Sequence, residues 1–348
     1  MKYKETIKVG FDLGNTSLKI AAVRKGGLAL YELPLPENLM DEDTVTMPHA
    51  FSAFLKKVKK DLHLPAGPVG LILPASQVIC RQVTMPRMTV DQLLLNLPYE
   101  LSDFIRGEPH QYYCDYALCR DPVRPETPPP EGEEEFPQEM TMMAAAVERQ
   151  QVTAYVRMFA AGGFPLRLLL PQEMALLQLA GANQGDPTQE PEEFCFIDLG
   201  SLSTRIFVIQ GDRLQATRRI PVGRRELDLV AADVLNVDPF LTDAYKRGNH
   251  RDILTHPRCM EVYEHIAVET LKLINFYHFT YRQNQLTGVY LIGGGAGIAP
   301  LCQVLEQTLG LPALPVDRLL PAAEENGDLA RTCAAAVGLV LPREEERP

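Results

Sequence analysis

VGFDLGNTSLKIAAV, residues 9–23, reads as two short strands joined by a tight turn. An apolar run opens at Val9, is broken by Asp12-Leu13-Gly14-Asn15-Thr16-Ser17, and resumes over Leu18–Val23. Apolar runs on both sides of a Gly/Asn/Ser/Thr turn make a β-hairpin. Because Gly14 has no Cβ, backbone N–H groups in such a turn can come close to a phosphate. Alone, this is an ordinary hairpin. A second copy, FIDLGSLSTRIFVIQGDRL at residues 196–214, changes its weight. Asp12 falls on Asp198, Leu13 on Leu199, Gly14 on Gly200, Ser17 on Ser203, Lys19 on Arg205 and Leu28 on Leu214, without a gap. The chain therefore reads as two related halves. Facing phosphate hairpins, one per half, would place a nucleotide in the cleft between two domains.

Composition narrows the class. At 348 residues the chain suits two domains. With 46% hydrophobic and 23% charged residues it has an ordinary globular composition. A net charge of −11 without a concentrated basic block argues against nucleic acid as a partner and against a polybasic membrane surface. No stretch approaches the roughly 20 apolar residues of a spanning helix. The start, MKYKETIKVG, reads as a charged lead-in to the first strand rather than a signal peptide. Seven scattered cysteines, with no CxxC, HExxH or Cys/His cluster, read as reduced packing residues of a cytoplasmic protein.

Further along, Pro48 opens a helix ending in Lys56, Lys57, Lys59 and Lys60, and Pro68–Pro74 is a short buried strand. Sheet, crossover helix and strand make an α/β domain. Residues 78–164 read as an inserted module, in which Thr89 caps a helix that Pro98 should kink or split. The Pro/Glu-rich stretch 120–139 reads as a mobile loop. A helix over Pro171–Ala180 starts between the halves, and Val262–Arg282 is a long helix. Val289–Ile292 runs as a strand into Gly293-Gly294-Gly295-Ala296-Gly297 and then a helix with Pro300 in its first turn. Strand, Gly-rich loop and helix N-terminus suit a phosphate or a ribose–base edge. The loop is not a P-loop, because no Lys-Ser/Thr pair follows it. The charged end, residues 343–348, reads as a disordered tail.

This order of hairpin, crossing helix, hairpin, Gly-rich loop and second crossing helix is similar to that of the actin/DnaK-type ATPases. Within that group the chain resembles the PilM family of type IV pilus assembly across almost its whole length. Met85-Pro86, the run IPVGRREL at 220–227, Asn275-Phe276-Tyr277, LIGGGAGIAPL at 291–301 and Gly310-Leu311-Pro312 carry the match. The resemblance implies an α/β, actin-like (ribonuclease H-like) duplicated two-domain fold. Domain I would span 1–180, with its core at 1–77 and 165–180 and an inserted subdomain of the type shared by PilM and FtsA at 78–164. Domain II would span 181–348, its last helix, 330–341, packing back toward the domain join.

Carried onto this chain, the resemblance implies ATP and Mg²⁺ as cofactors. Asp12 and Asp198 would serve the metal and, with Gln172, orient water for hydrolysis. Gly14, Asn15, Thr16, Ser17 and Lys19 would hold one phosphate face, and Gly200, Ser201 and Ser203 the other. Gly223 would adjoin the nucleotide. Asp243 and Lys246 would contact ribose and base, and Gly293, Gly294, Gly295 and Ile298 would form the adenosine loop. Where the family often has Gly-Gly, Arg224 follows Gly223, and it would either crowd the nucleotide or add a phosphate contact. The implied role is an ATP-binding switch with slow hydrolysis at most, cytoplasmic and held at the inner face of the membrane through partners. Those partners are the cytoplasmic N-terminal segment of a PilN-like protein and the pilus assembly ATPases. The alternatives are an FtsA-like filament former, a small-molecule kinase of the same superfamily and a nucleotide-free scaffold. A kinase would need a base poised toward the terminal phosphate, and no free acid has that placement. FtsA ends in an amphipathic membrane helix, and the charged run REEERP argues against that reading here.

Overall fold

A computed structural model describes residues 6–119, 139–185, 191–281, 286–321 and 327–342, apart from the side chains of Phe240, Asp243 and Arg247. The charged tail at 343–348 and nearly all of the 120–139 loop lie outside the described residues.

The first half opens with β1 (Val9–Leu13), β2 (Ser17–Arg24) and β3 (Gly27–Pro34), which pair antiparallel in sequence. A two-residue pair, β4 (Met40–Asp41) and β5 (Thr44–Val45), precedes α1 (Pro48–Asp61). Then β6 (Val69–Ile72) lies parallel to β1. The next segment, β7 (Ile79–Pro86), α2 (Val90–Glu100), β8 (Tyr112–Leu118) and β9 (Glu139–Glu148), builds a separate sheet ordered β7-β9-β8. Thr89 and Gln92 start α2 with a reciprocal capping box. The expected break at Pro98 is instead an end: the helix stops at Glu100, so the missing N–H falls in its last turn.

The chain returns through α3 (Arg149–Ala161), β10 (Leu166–Leu170) and α4 (Gln172–Gly181). The first sheet is ordered β10-β6-β1-β2-β3. The structure divides the 78–164 segment. Its strands and α2 have a small core of their own around Leu93, Leu97 and Met142. By contrast, α3 sends Tyr155, Met158 and Phe159 into the core of the first half. There Phe159 meets Phe11 edge-on at 5.3 Å and Phe51 at 6.0 Å, separations that suit aromatic pairs.

The second half repeats the plan. β11 (Glu193–Leu199), β12 (Thr204–Gln210) and β13 (Arg213–Ile220) pair antiparallel. After α5 (Arg224–Leu235), α6 (Thr242–Arg247) and α7 (Pro257–Thr280), β14 (Tyr290–Ile292) joins parallel to β11. Helix α7 starts at Pro257, earlier than the apolar spacing suggests, because His256 caps it by accepting from the Arg258 N–H. The chain continues through α8 (Ala299–Leu309) to α9 (Gly327–Val340). The second sheet is ordered β13-β12-β11-β14.

The two sheets share a central layer. Ala180 and Leu176 of α4 and Ala334 and Val337 of α9 join one apolar cluster with Ala21 and Leu30 of the first sheet and Phe196 and Phe207 of the second. Small residues let α9 lie this close. A Cβ on Gly10 of β1 would stand 2.4 Å from the Ala336 carbonyl oxygen, and one on Gly338 would stand 2.1 Å from that of Ala175. Strand alternation then sets the face of each side chain. Phe11 and Leu13 enter the α1/α3 side, while Gly10 and Asp12 take the α9 side.

Candidate functional site

Each half brings one carboxylate to the end of its central strand. Asp12 pairs in register with Ile72 of β6, and Asp198 with Ile292 of β14, the last residue of each parallel neighbour. Ligands of open α/β sheets bind beyond such carboxyl ends. Here both ends open into one cleft of about 930 Å³, including space continuous with solvent. Asp12, Gly14, Asn15, Thr16, Ser17 and Lys19 line one wall, and Asp198, Gly200, Ser201 and Ser203 the other. Gln172, Gly293 and Gly294 complete the set of expected residues that meet there.

Several of these side chains already have protein partners. In the first turn the Gly14 N–H donates to the Ser17 carbonyl at 3.0 Å. The Asn15 amide donates to Asp43 at 2.7 Å and accepts from the Asp43 N–H at 3.0 Å. The Ser17 hydroxyl donates to Glu32 at 2.7 Å. Across the cleft, Gln172 Nε2 donates to Asp198 Oδ2 at 3.0 Å, and Arg205 Nη2 lies 3.5 Å from the same oxygen. Gly293 fits only as glycine, because its φ is +83° and a Cβ there would stand 2.4 Å from Asp198 Oδ1. Its N–H donates to the Arg331 carbonyl at 3.0 Å, so α9 fixes the Gly-rich loop. The Arg331 guanidinium also donates to Ala296 O at 3.1 Å.

Charge in the cleft is mixed. Lys19, Arg205, Arg224 and Arg331 line it together with Asp12, Glu32, Asp43 and Asp198. Burial pushes the Asp12 carboxyl above its ordinary range; Lys19 pulls it back and Asp198 pushes it up again. Two carboxylates in one poorly solvated place favour a bound cation or a proton. Among the described residues no cluster of three or more His, Cys, Asp or Glu forms a metal cage.

The remaining expected residues are not among those that line this cleft. Lys246 is buried and ion-paired with Asp228 on α5, which supplies the counter-charge a buried ammonium needs. Gly223, Gly295 and Ile298 line a smaller apolar recess with Leu227, Ile266 and Leu301, joined to the cleft at Gly200 and Arg224. The Asp243 side chain lies outside the described residues. Sequence reasoning passed over Glu32, Asp43, Arg205 and Arg331 as cleft groups. Arg205 had a signal, its alignment with Lys19. The others come from β3, the β4–β5 turn and α9, which no motif marks. Arg224, a departure from the family pattern, reaches over the cleft. Its Nη2 donates to Thr16 Oγ1 at 3.1 Å, joining the second half to the first phosphate turn.

Two sheets built on one plan, facing a shared cleft with a hairpin from each, define an actin-like ATPase fold. This chain belongs to the PilM family of type IV pilus assembly proteins, whose family model matches residues 10–319. Solved structures share the fold. A PilM–PilN type IV pilus biogenesis complex matches at 22% identity and a TM-score of 0.76, over 97% of this chain and 98% of that one. The ethanolamine utilization protein EutJ from Carboxydothermus hydrogenoformans matches at 16% identity and a TM-score of 0.56, over 96% and 88%. MreB5 of Spiroplasma citri bound to ADP matches at 11% identity and a TM-score of 0.52, over 95% and 94%. No helix among the described residues is long and apolar enough to cross a membrane.

Proposed function

We propose that this chain is a nucleotide-dependent switch in pilus assembly. It binds ATP with Mg²⁺ between its halves, and the bound state alters its affinity for the cytoplasmic N-terminal segment of a PilN-like inner-membrane protein. The observation that carries this reading is the meeting of both phosphate hairpins, with Asp12 and Asp198, at one cleft. The donor set fits the metal. Hard divalent cations take oxygen ligands, and Mg²⁺ commonly keeps waters and phosphate oxygens beside one or two carboxylates. When bound, Mg²⁺ would supply neutralisation of phosphate charge.

The protein's own share is positioning. Backbone around Gly14–Ser17 and Gly200–Ser203 would cradle the phosphates, and Lys19 would add charge. Gly293 and Gly294 leave room for close backbone approach, and the recess at Gly223, Gly295 and Ile298 is the apolar surface available to the base. Gln172, held by Asp198, would fix a water. Phosphoryl transfer depends mainly on such positioning and charge. The other carboxylates of the cleft, Glu32 and Asp43, are engaged by Ser17, Asn15 and Ser76, so turnover would be slow. Pilus assembly ATPases would reach the protein as further partners, and its place at the inner face of the membrane would come through the PilN-like protein. A nucleotide-free scaffold is the second reading, favoured by the Arg224–Thr16 bond that spans the cleft.

The test is a titration of the partner's cytoplasmic N-terminal peptide into this protein with and without Mg-ATP. A coupling of about 1–3 kcal/mol predicts a change in peptide affinity of about 5–150-fold. Equal affinity in both conditions would overturn the switch and leave the scaffold.

A further inference from the structure

The duplication pairs an acid with a base in each half, and the two bases are not equivalent. Lys19 stands opposite Asp12 across β1–β2, and Arg205 stands opposite Asp198 across β11–β12. A lysine is a point charge, whereas the planar fork of an arginine can hold two anionic groups at once. Arg205 uses only part of its fork. Its Nη2 reaches Asp198 Oδ2 at 3.5 Å, a long contact, while that oxygen already accepts from Gln172 at 3.0 Å. Its Nη1 is buried and has no partner.

The other guanidiniums of the cleft differ. Arg224 is engaged with Thr16 on the exposed rim. Arg331 is held by Ala296 O and by Asp328 at 3.0 Å. Buried polar atoms are rarely left unpaired unless a ligand or water completes them. A second orphan lies on the same carboxylate: Gln172 Oε1 is buried and without a partner. Asp198 is thus flanked by a free donor on Arg205 and a free acceptor on Gln172. A phosphate oxygen satisfies the donor, and a water satisfies the acceptor.

We infer that Arg205 is a phosphate-binding residue that reads the terminal phosphate of a nucleoside triphosphate, so that the cleft distinguishes ATP from ADP. This rests on the nucleotide reading of the cleft. Asp198 then serves as the anchor that keeps the guanidinium aimed, and the second hairpin becomes the half of the site that senses charge.

The experiment is calorimetric titration of Mg-ATP and Mg-ADP into the wild type, Arg205→Lys and Arg205→Ala, with a thermal melt of each protein. Arg205→Lys retains a positive charge beside Asp198 and so guards against a variant that fails to fold. Wild type is expected to bind ATP at least tenfold more tightly than ADP. Both variants are expected to lose that preference through weaker ATP binding, with ADP affinity unchanged. A wild type that binds both nucleotides, with folded variants keeping its ATP/ADP ratio, would overturn the role of Arg205 alone. A wild type that binds neither would overturn the nucleotide reading and this inference with it.

Discussion

Asp12 occupies a place where its charge is costly. Burial raises its carboxyl, Lys19 offsets part of that, and Asp198 raises it again. Between its unfolded and folded values such a group binds more protons folded than unfolded. Stability therefore falls as pH rises through that window, which begins near the ordinary value of 3.8. Asp12→Asn removes the titration. The variant should be more stable than wild type at neutral pH, with the advantage shrinking in acid. Urea denaturation from acid to neutral pH checks this, and a less stable variant at neutral pH would contradict it. Asp12 and Asp198 were legible because each sits in a local pattern, strand then turn, repeated in register. The partner of Lys246 was not legible: its spacing from Asp243 matches a motif, but its ion pair is with Asp228 on a different helix. Glu32 and Asp43 reach the site only through the folding of β3 and the β4–β5 turn over Ser17 and Asn15.

Elements show the same division. The hairpins could be read from apolar runs and turn composition, and α1 from Pro48 at its start and lysines at its end. Helix α9 could be read as a helix of small residues packing toward the domain join, but not how closely it approaches β1 and α4. Its close contacts are made by the absence of side chains at Gly338 and at Gly10. Two effects compete at Gly338. In a free helix interior, Gly→Ala gains about 1 kcal/mol. Here the new Cβ would stand 2.1 Å from the Ala175 carbonyl oxygen, so α9 and α4 must separate. Overpacking of this kind costs about 1–3 kcal/mol. Gly338→Ala should therefore lower the urea midpoint despite its better helix propensity, and an unchanged or higher midpoint would show that the α4–α9 contact yields easily. The strands of the separate sheet β7-β9-β8 were legible, but not the packing of α3, whose aromatic residues complete the first core around Phe11.

At the scale of the molecule, the halves touch through the α4–α9 layer and across the cleft. Among the described residues, the side-chain bonds Gln172–Asp198 and Arg224–Thr16 span it. A nucleotide entering there would meet both hairpins at once, which is how a small ligand could bias the relation of two large bodies. A ligand shifts such an equilibrium only by its differential affinity for the two states, so nucleotide binding comes before every further claim of switching. The direct measurement is calorimetric titration of Mg-ATP into wild type and Asp12→Asn, whose fold is expected to be intact. The account predicts binding near micromolar, about −8 kcal/mol, that weakens when Mg²⁺ is withheld and is lost in the variant. No binding by wild type, or equal binding by the variant, would contradict it.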